Sequence, residues 1–123
     1  MIEPIASAVE DFTAAQDDGP VVMMNLLRFV EGGRGLYESY LRAVQPSLAK
    51  VSATIVYGGV CGPPLIAEPG EAWDALLVVR YPSRAAFLQM AGDPAYREIA
   101  HLRTEALRAT VLQPTQPWKP EGA

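Results

Sequence analysis

One cysteine, one histidine and two lysines are all that these 123 residues hold of three residue types that often carry chemistry. Cys61 has no second thiol to pair with, so an internal disulfide is excluded. It stands in an apolar stretch without a charged neighbour in sequence to lower its pKa, and an ordinary buried thiol is expected. A single imidazole and a single thiol leave too few ligands for a zinc site of the usual kind, and no metal or bound cofactor is expected. Lysine occurs only at Lys50 and Lys119, the arginines are scattered, and the formal net charge is −4. Nucleic acid is therefore not an expected partner, because binding phosphates requires clustered cations. No apolar run approaches the roughly 20 residues that span a bilayer, so no membrane association is expected. The phosphate-loop, dinucleotide and H-E-x-x-H metalloprotease signatures are all missing. The first eight residues carry Glu3 and no basic residue, unlike a secretory leader, and the expected compartment is the cytoplasm.

What is present is a globular balance. Half of the residues are hydrophobic and a fifth are charged, at a length that suits one domain over 1–123. Ile5, Val9 and Phe12 lie at helical spacing within residues 4–16, and Asp17-Asp18-Gly19-Pro20 should stop that helix. Residues 21–29 read as a strand, and Gly32, Gly33 and Gly35 as a loop. Residues 36–51 form an amphipathic helix with Leu36, Tyr37, Tyr40, Ala43, Val44, Leu48 and Val51 on one side, and Pro46 should kink or break it. Residues 53–61 read as a second strand with a bulge or close approach at Gly58-Gly59, 62–72 as loop, and 73–81 as a third strand. Ser83 caps a helix over 84–91, and Asp93-Pro94 opens another that runs to about 108. A short fourth strand over 110–112 precedes a proline-rich tail, 113–123.

After the leading helix the order is β-α-β-β-α-β, which predicts an α+β, ferredoxin-like domain with a four-stranded antiparallel sheet and a core over about 19–112. The strands are apolar on both faces. Val21, Met23, Leu27 and Phe29 alternate with Val22, Met24 and Leu26, and Ala75, Leu77 and Val79 alternate with Leu76 and Val78. One helical layer covers only one face of such a sheet. A homodimer packed sheet to sheet would bury the other, unless the leading helix or the tail does so within one chain.

Several segments carry a family likeness: Val21-Val22-Met23-Met24-Asn25-Leu26-Leu27-Arg28-Phe29, Tyr37-Glu38-Ser39-Tyr40, Trp73-Asp74-Ala75, Tyr81-Pro82-Ser83-Arg84-Ala85-Ala86-Phe87, Asp93-Pro94-Ala95-Tyr96 and His101-Leu102-Arg103. In this order and spacing they resemble the DUF1330 family of the dimeric α/β-barrel superfamily. The resemblance implies fold and dimerisation rather than a reaction. The wider superfamily includes cofactor-independent monooxygenases of aromatic polyketides, muconolactone isomerases, polyketide cyclases and haem-dependent enzymes, and fold alone does not choose among them. Where related sequences often read His-Arg, this chain has Leu102 between His101 and Arg103.

Seven residues are candidates for a ligand pocket. Asn25 interrupts an apolar strand row, either to hold a ligand carbonyl or hydroxyl or to clamp neighbouring backbone. Arg103 falls in the apolar arc of its helix, where its guanidinium could meet a carboxylate or enolate, or its stem could pack while its head reaches water. His101 has a near-neutral pKa in its favour but lies opposite that arc, which points to surface or subunit contact. Tyr40, Tyr57 and Trp73 offer apolar bodies with polar tips, for a pocket or simply for the core. Arg28 closes the first strand at the pocket mouth or the wet end of the sheet. Two functions fit: a cofactor-independent isomerase, cyclase or monooxygenase acting on a carbonyl or aromatic metabolite, or a dimer that binds a small molecule without turnover. No residue stands out as a general base.

Overall fold

The computed structural model describes residues 3–15 and 19–118. Its elements are α1 (Ala6–Ala14), β1 (Val21–Phe29), α2 (Gly33–Ala43), α3 (Gln45–Lys50), β2 (Thr54–Val60), β3 (Ala75–Tyr81), α4 (Arg84–Gly92), α5 (Pro94–Ala106) and β4 (Leu107–Thr115). The four strands form one antiparallel sheet in the order β2-β3-β1-β4. This is the ferredoxin-like α+β arrangement that the element order predicts.

Local chemistry accounts for most boundaries. The long helix breaks at Val44, and Pro46 sits in the first turn of α3, where its missing N–H costs nothing. Ser83 Oγ accepts from the Ala86 N–H at 3.0 Å and Asp93 Oδ1 from the Ala95 N–H at 2.9 Å, which caps α4 and α5. β4 is longer than the expected three residues and takes in Pro114. As an edge strand it has one side free of ladder bonds, so a residue without an N–H is tolerated. The proposed stop at Asp17-Asp18 lies outside the described residues.

Four expectations are corrected. Gly33 and Gly35 belong to α2 rather than to a loop, with Gly32 before them in the left-handed region at φ 76°. Cys61 is exposed, not buried, because the chain leaves edge strand β2 at Val60. The bulge in β2 falls between Ile55 and Tyr57, while at Gly59 a side chain would strike the Tyr57 ring, so the close approach is real. Leu36 points away from the core and is partly exposed.

The helices cover the sheet face that carries Val21, Met23, Asn25, Leu27, Ala75, Leu77, Val79 and Tyr81, all buried. The opposite face carries Val22, Met24, Leu26, Leu76 and Val78, each only partly covered. α1 does not lie across it: Phe12 packs edge-on to Phe87 of α4, on the helical side. Nor does the described tail, where Trp118 is 90% exposed. Among the described residues no helix is long and apolar enough to cross a membrane.

Gly33 fixes how α2 meets the rest of the helical layer. A Cβ there would collide with the Ala106 carbonyl oxygen, which already accepts from the Val30 N–H at 2.9 Å. At Gly35, two residues on, a Cβ would meet nothing. Gly33→Ala should therefore lose about 1–3 kcal/mol of unfolding free energy through overpacking. Gly35→Ala should gain about 0.4–1 kcal/mol, since it removes unfolded-state freedom in an open helical position. Urea denaturation of both variants checks the pair, and equal midpoints would show that the helix contact is not tight.

Candidate functional site

A cavity of about 80 Å³ lies between the sheet and α2, α4 and α5. Its other walls are mostly aliphatic, and its polar groups come from four elements: Asn25 on β1, Tyr37 and Tyr40 on α2, Tyr81 on β3, and Tyr96 and Arg103 on α5. The local reasons are simple. Asn25 is on the helix-facing row of β1, which alternation sends inward, and Tyr37 and Tyr40 are three residues apart, so they share one helix face.

The polar groups form two sets. Arg103 Nη2 donates to Asn25 Oδ1 at 3.2 Å and lies 3.4 Å from Thr110 Oγ1, while Asn25 Nδ2 donates to the Leu77 carbonyl at 3.2 Å. The Tyr40 and Tyr96 hydroxyls are 2.9 Å apart, which ties α2 to α5 across the cavity. Tyr37 Oη is the one buried side-chain polar atom without a hydrogen-bond partner among the described residues. The lining contains no Asp, Glu or His, and no described carboxylate pairs with Arg103.

Electrostatics follow from this enclosure. Burial pushes the Tyr37 phenol above its ordinary pKa, and the Arg103 charge beside it pulls partly the other way. Burial, then the neighbouring Tyr96, holds the Tyr40 phenol far above the range in which it could ionise, and burial does the same to Tyr81. These phenols are neutral donors, not bases. The site therefore concentrates hydrogen-bond donors and one positive charge in a low-dielectric space.

Of the seven sequence candidates, the structure brings Asn25, Tyr40 and Arg103 together at this cavity. Arg28 and Trp73 pair with each other elsewhere. The Arg28 guanidinium stacks 4.1 Å from the Trp73 ring and donates to the Ala72 and Gly70 carbonyls at 2.6 and 2.5 Å, which pins the loop before β3. Tyr57 is 57% exposed on the opposite side of the sheet, its ring over Gly59. His101 is exposed on the outer side of α5, as its place opposite the apolar arc implies. Sequence reasoning missed Tyr37 and Tyr96 as site residues. Both stand in apolar helical arcs and read there as core, and only the meeting of α2 with α5 brings the Tyr37 hydroxyl beside Arg103 and the Tyr96 hydroxyl against that of Tyr40.

Two substitutions separate a binding site from a structural clamp. Tyr37→Phe should leave stability unchanged or raise it, because the lost hydroxyl has no partner to strand. Asn25→Leu should cost about 1–3 kcal/mol, because it leaves Arg103 and the Leu77 carbonyl without their partner. Denaturant midpoints measure both, and a loss of more than about 1 kcal/mol in Tyr37→Phe would mean that its hydroxyl is bonded. For pH, the raised phenols imply stability that is fully present below about pH 10 and falls above it, where the unfolded chain releases protons that the folded chain keeps. Tyr40→Phe should flatten that alkaline decline, and an unchanged slope would argue against a buried neutral Tyr40.

Comparison with known proteins places this geometry. The protein-family model described as a domain of unknown function, DUF1330, matches residues 33–113. The RPA0582 protein of unknown function from Rhodopseudomonas palustris is similar at 31% identity and a TM-score of 0.85, over 97% of this chain and 98% of that one. A dimeric ferredoxin-like protein of unknown function from Jannaschia sp. CCS1 shares the fold at 10% identity and a TM-score of 0.62, over 80% of this chain and 100% of its own. The hydroxynitrile lyase of Passiflora edulis does so at 13% identity and a TM-score of 0.64, over 85% of this chain and 100% of its own. No curated protein matches the sequence. With the family model spanning most of the chain and the Rhodopseudomonas protein alike from end to end, this protein belongs to the DUF1330 family.

Proposed function

We propose that the chain forms a homodimer whose subunits each bind a small, enolisable carbonyl compound and stabilise the negative charge that develops on its oxygen. The observation that carries this reading is Arg103, a guanidinium in an apolar cavity with no carboxylate to neutralise it among the described residues. Arg103 is partly buried, so water meets only part of its charge, and an anionic group of a ligand is the natural complement to the rest. Tyr37 Oη, buried beside the same guanidinium, has its proton free to supply a second donor. Donors fixed in place where charge develops are the main means by which an enzyme lowers the barrier to forming an enolate.

The chemistry that suits this site is isomerisation, cyclisation or oxygenation of a substrate whose own acidity makes an enolate accessible, such as a 1,3-dicarbonyl compound or a hydroxyarene. In each case the first step is transfer of a proton from carbon or hydroxyl to a solvent water, which leaves the negative charge on the oxygen held by Arg103 and Tyr37. One observation favours the alternative, a binding dimer without turnover: no carboxylate or imidazole lines the cavity to take that proton.

Dimerisation rests on the second sheet face. Val22, Met24, Leu26, Leu76 and Val78 form an apolar surface that neither α1 nor the described tail crosses. A ferredoxin-like relative is a dimer, which supports the same solution here. Sheet-to-sheet packing by a second copy would bury this surface without disturbing the cavity on the opposite face.

Light scattering at micromolar concentration should give twice the 13.3-kDa chain mass, and Val78→Arg should lower it to that of a single chain. A monomeric parent would remove the paired-sheet reading. For the chemistry, α-proton exchange of a 1,3-diketone into deuterated water, followed by NMR, should be accelerated by the protein. Arg103→Gln should slow it by about 10²–10³-fold, the usual effect of losing one oxyanion donor. Binding of the diketone without any acceleration would leave the metabolite-binding dimer as the correct reading.

A further inference from the structure

The cavity that holds Arg103 is smaller than a ligand of metabolic size. At about 80 Å³ it falls below the roughly 150 Å³ of a cavity that admits benzene. It has room for a carbonyl or carboxylate head and little more. A second cleft, of about 360 Å³, adjoins it between α2 and the β2–β3 side of the sheet. The two spaces share Tyr37, Leu41, Ile55 and Leu77 as walls, so these side chains form the partition between them, and a ligand reaching from Arg103 into the cleft would pass where they part.

The cleft is built for an uncharged occupant. Leu27, Leu41, Val60, Ala75 and Leu77 are among its walls. Its two charged residues, Arg34 and Glu38, neutralise each other at 3.4 Å along the exposed side of α2. Gly58 faces into it, opposite Leu77 in the ladder. A Cβ built there would touch only Leu77 Cδ1, at an ordinary 3.4 Å. Gly58 has no positive φ to require a glycine. Its missing side chain therefore serves space rather than backbone shape.

We propose that the ligand is an amphipathic oxo acid or enol, with its anionic head on Arg103 and an apolar tail in the cleft, and that Gly58 sets the length of that tail. The inference rests on the anionic-head reading above and adds the ligand class and the residue that selects within it. A tail that enters an apolar cleft gains about fourfold in affinity per methylene until the cleft is full.

Isothermal titration with a homologous series of straight-chain 3-oxo acids tests it on the full-length protein. The parent should bind each longer acid about fourfold more tightly up to a plateau. Gly58→Leu should bring the plateau forward by at least two carbons while short acids bind as before, and Gly58→Ala should give an intermediate shift. Arg103→Met should weaken every chain length by the same factor. Arg103-dependent binding with no chain-length gain, or a uniform loss in Gly58→Leu with normal circular dichroism, would overturn the tail assignment alone. A chain-length gain that survives Arg103→Met unchanged would overturn the head assignment alone. No binding by any acid would overturn both.

Discussion

The site depends on how closely α2 approaches the junction of α5 and β4. That distance is set where Gly33 meets the Ala106 carbonyl, a contact with no room for a side chain. From this point α2 runs over the sheet and turns Tyr37 and Tyr40 towards α5, where the Tyr40–Tyr96 hydrogen bond closes the roof. The cavity exists because two helices are pinned at one end by backbone and held apart further on by phenol rings.

A charge in such a place has to be explained. Arg103 reaches the amide of Asn25 and the hydroxyl of Thr110, neutral acceptors that orient a guanidinium without cancelling its charge. A structural arginine commonly meets a carboxylate, bidentately where geometry allows. The nearby phenols are kept neutral by burial, so none of them supplies the missing negative charge. The site is polarised in one sense only: it gives hydrogen bonds and positive potential. That sense matches an enolate or a carboxylate and mismatches a cationic ligand.

Much of the fold was legible because its determinants are local. The caps at Ser83 and Asp93, the break before Pro46 and the doubly apolar strands each follow from a few adjacent residues, and each appears where its chemistry places it. The placement of Arg103 in the apolar arc of α5 and of Asn25 within β1 was legible for the same reason, since helix and strand periods decide it. What stayed hidden depends on partners far apart in sequence. Gly33 resembles a loop residue until Ala106, more than seventy residues later, requires a bare backbone there. Arg28 and Trp73 look like pocket residues until they stack on each other. Cys61 lies in an apolar stretch, but the exposure of edge strand β2 depends on sheet order, which no local pattern encodes. Tyr37 read as core, and only the absence of a partner for its hydroxyl marks it as part of the site.

The central claim is that Arg103 receives the anionic head of a ligand. The most direct measurement is the NMR signal of its guanidinium Nε–H, assigned by comparison with Arg103→Met and followed while an enolisable oxo acid is added. The account predicts that this one arginine signal shifts in proportion to occupancy and broadens as the group is immobilised, while the signals of Arg28 and Arg84, held elsewhere on Trp73 and Phe12, stay in place. Saturable binding of the acid with the Arg103 signal unmoved would contradict it.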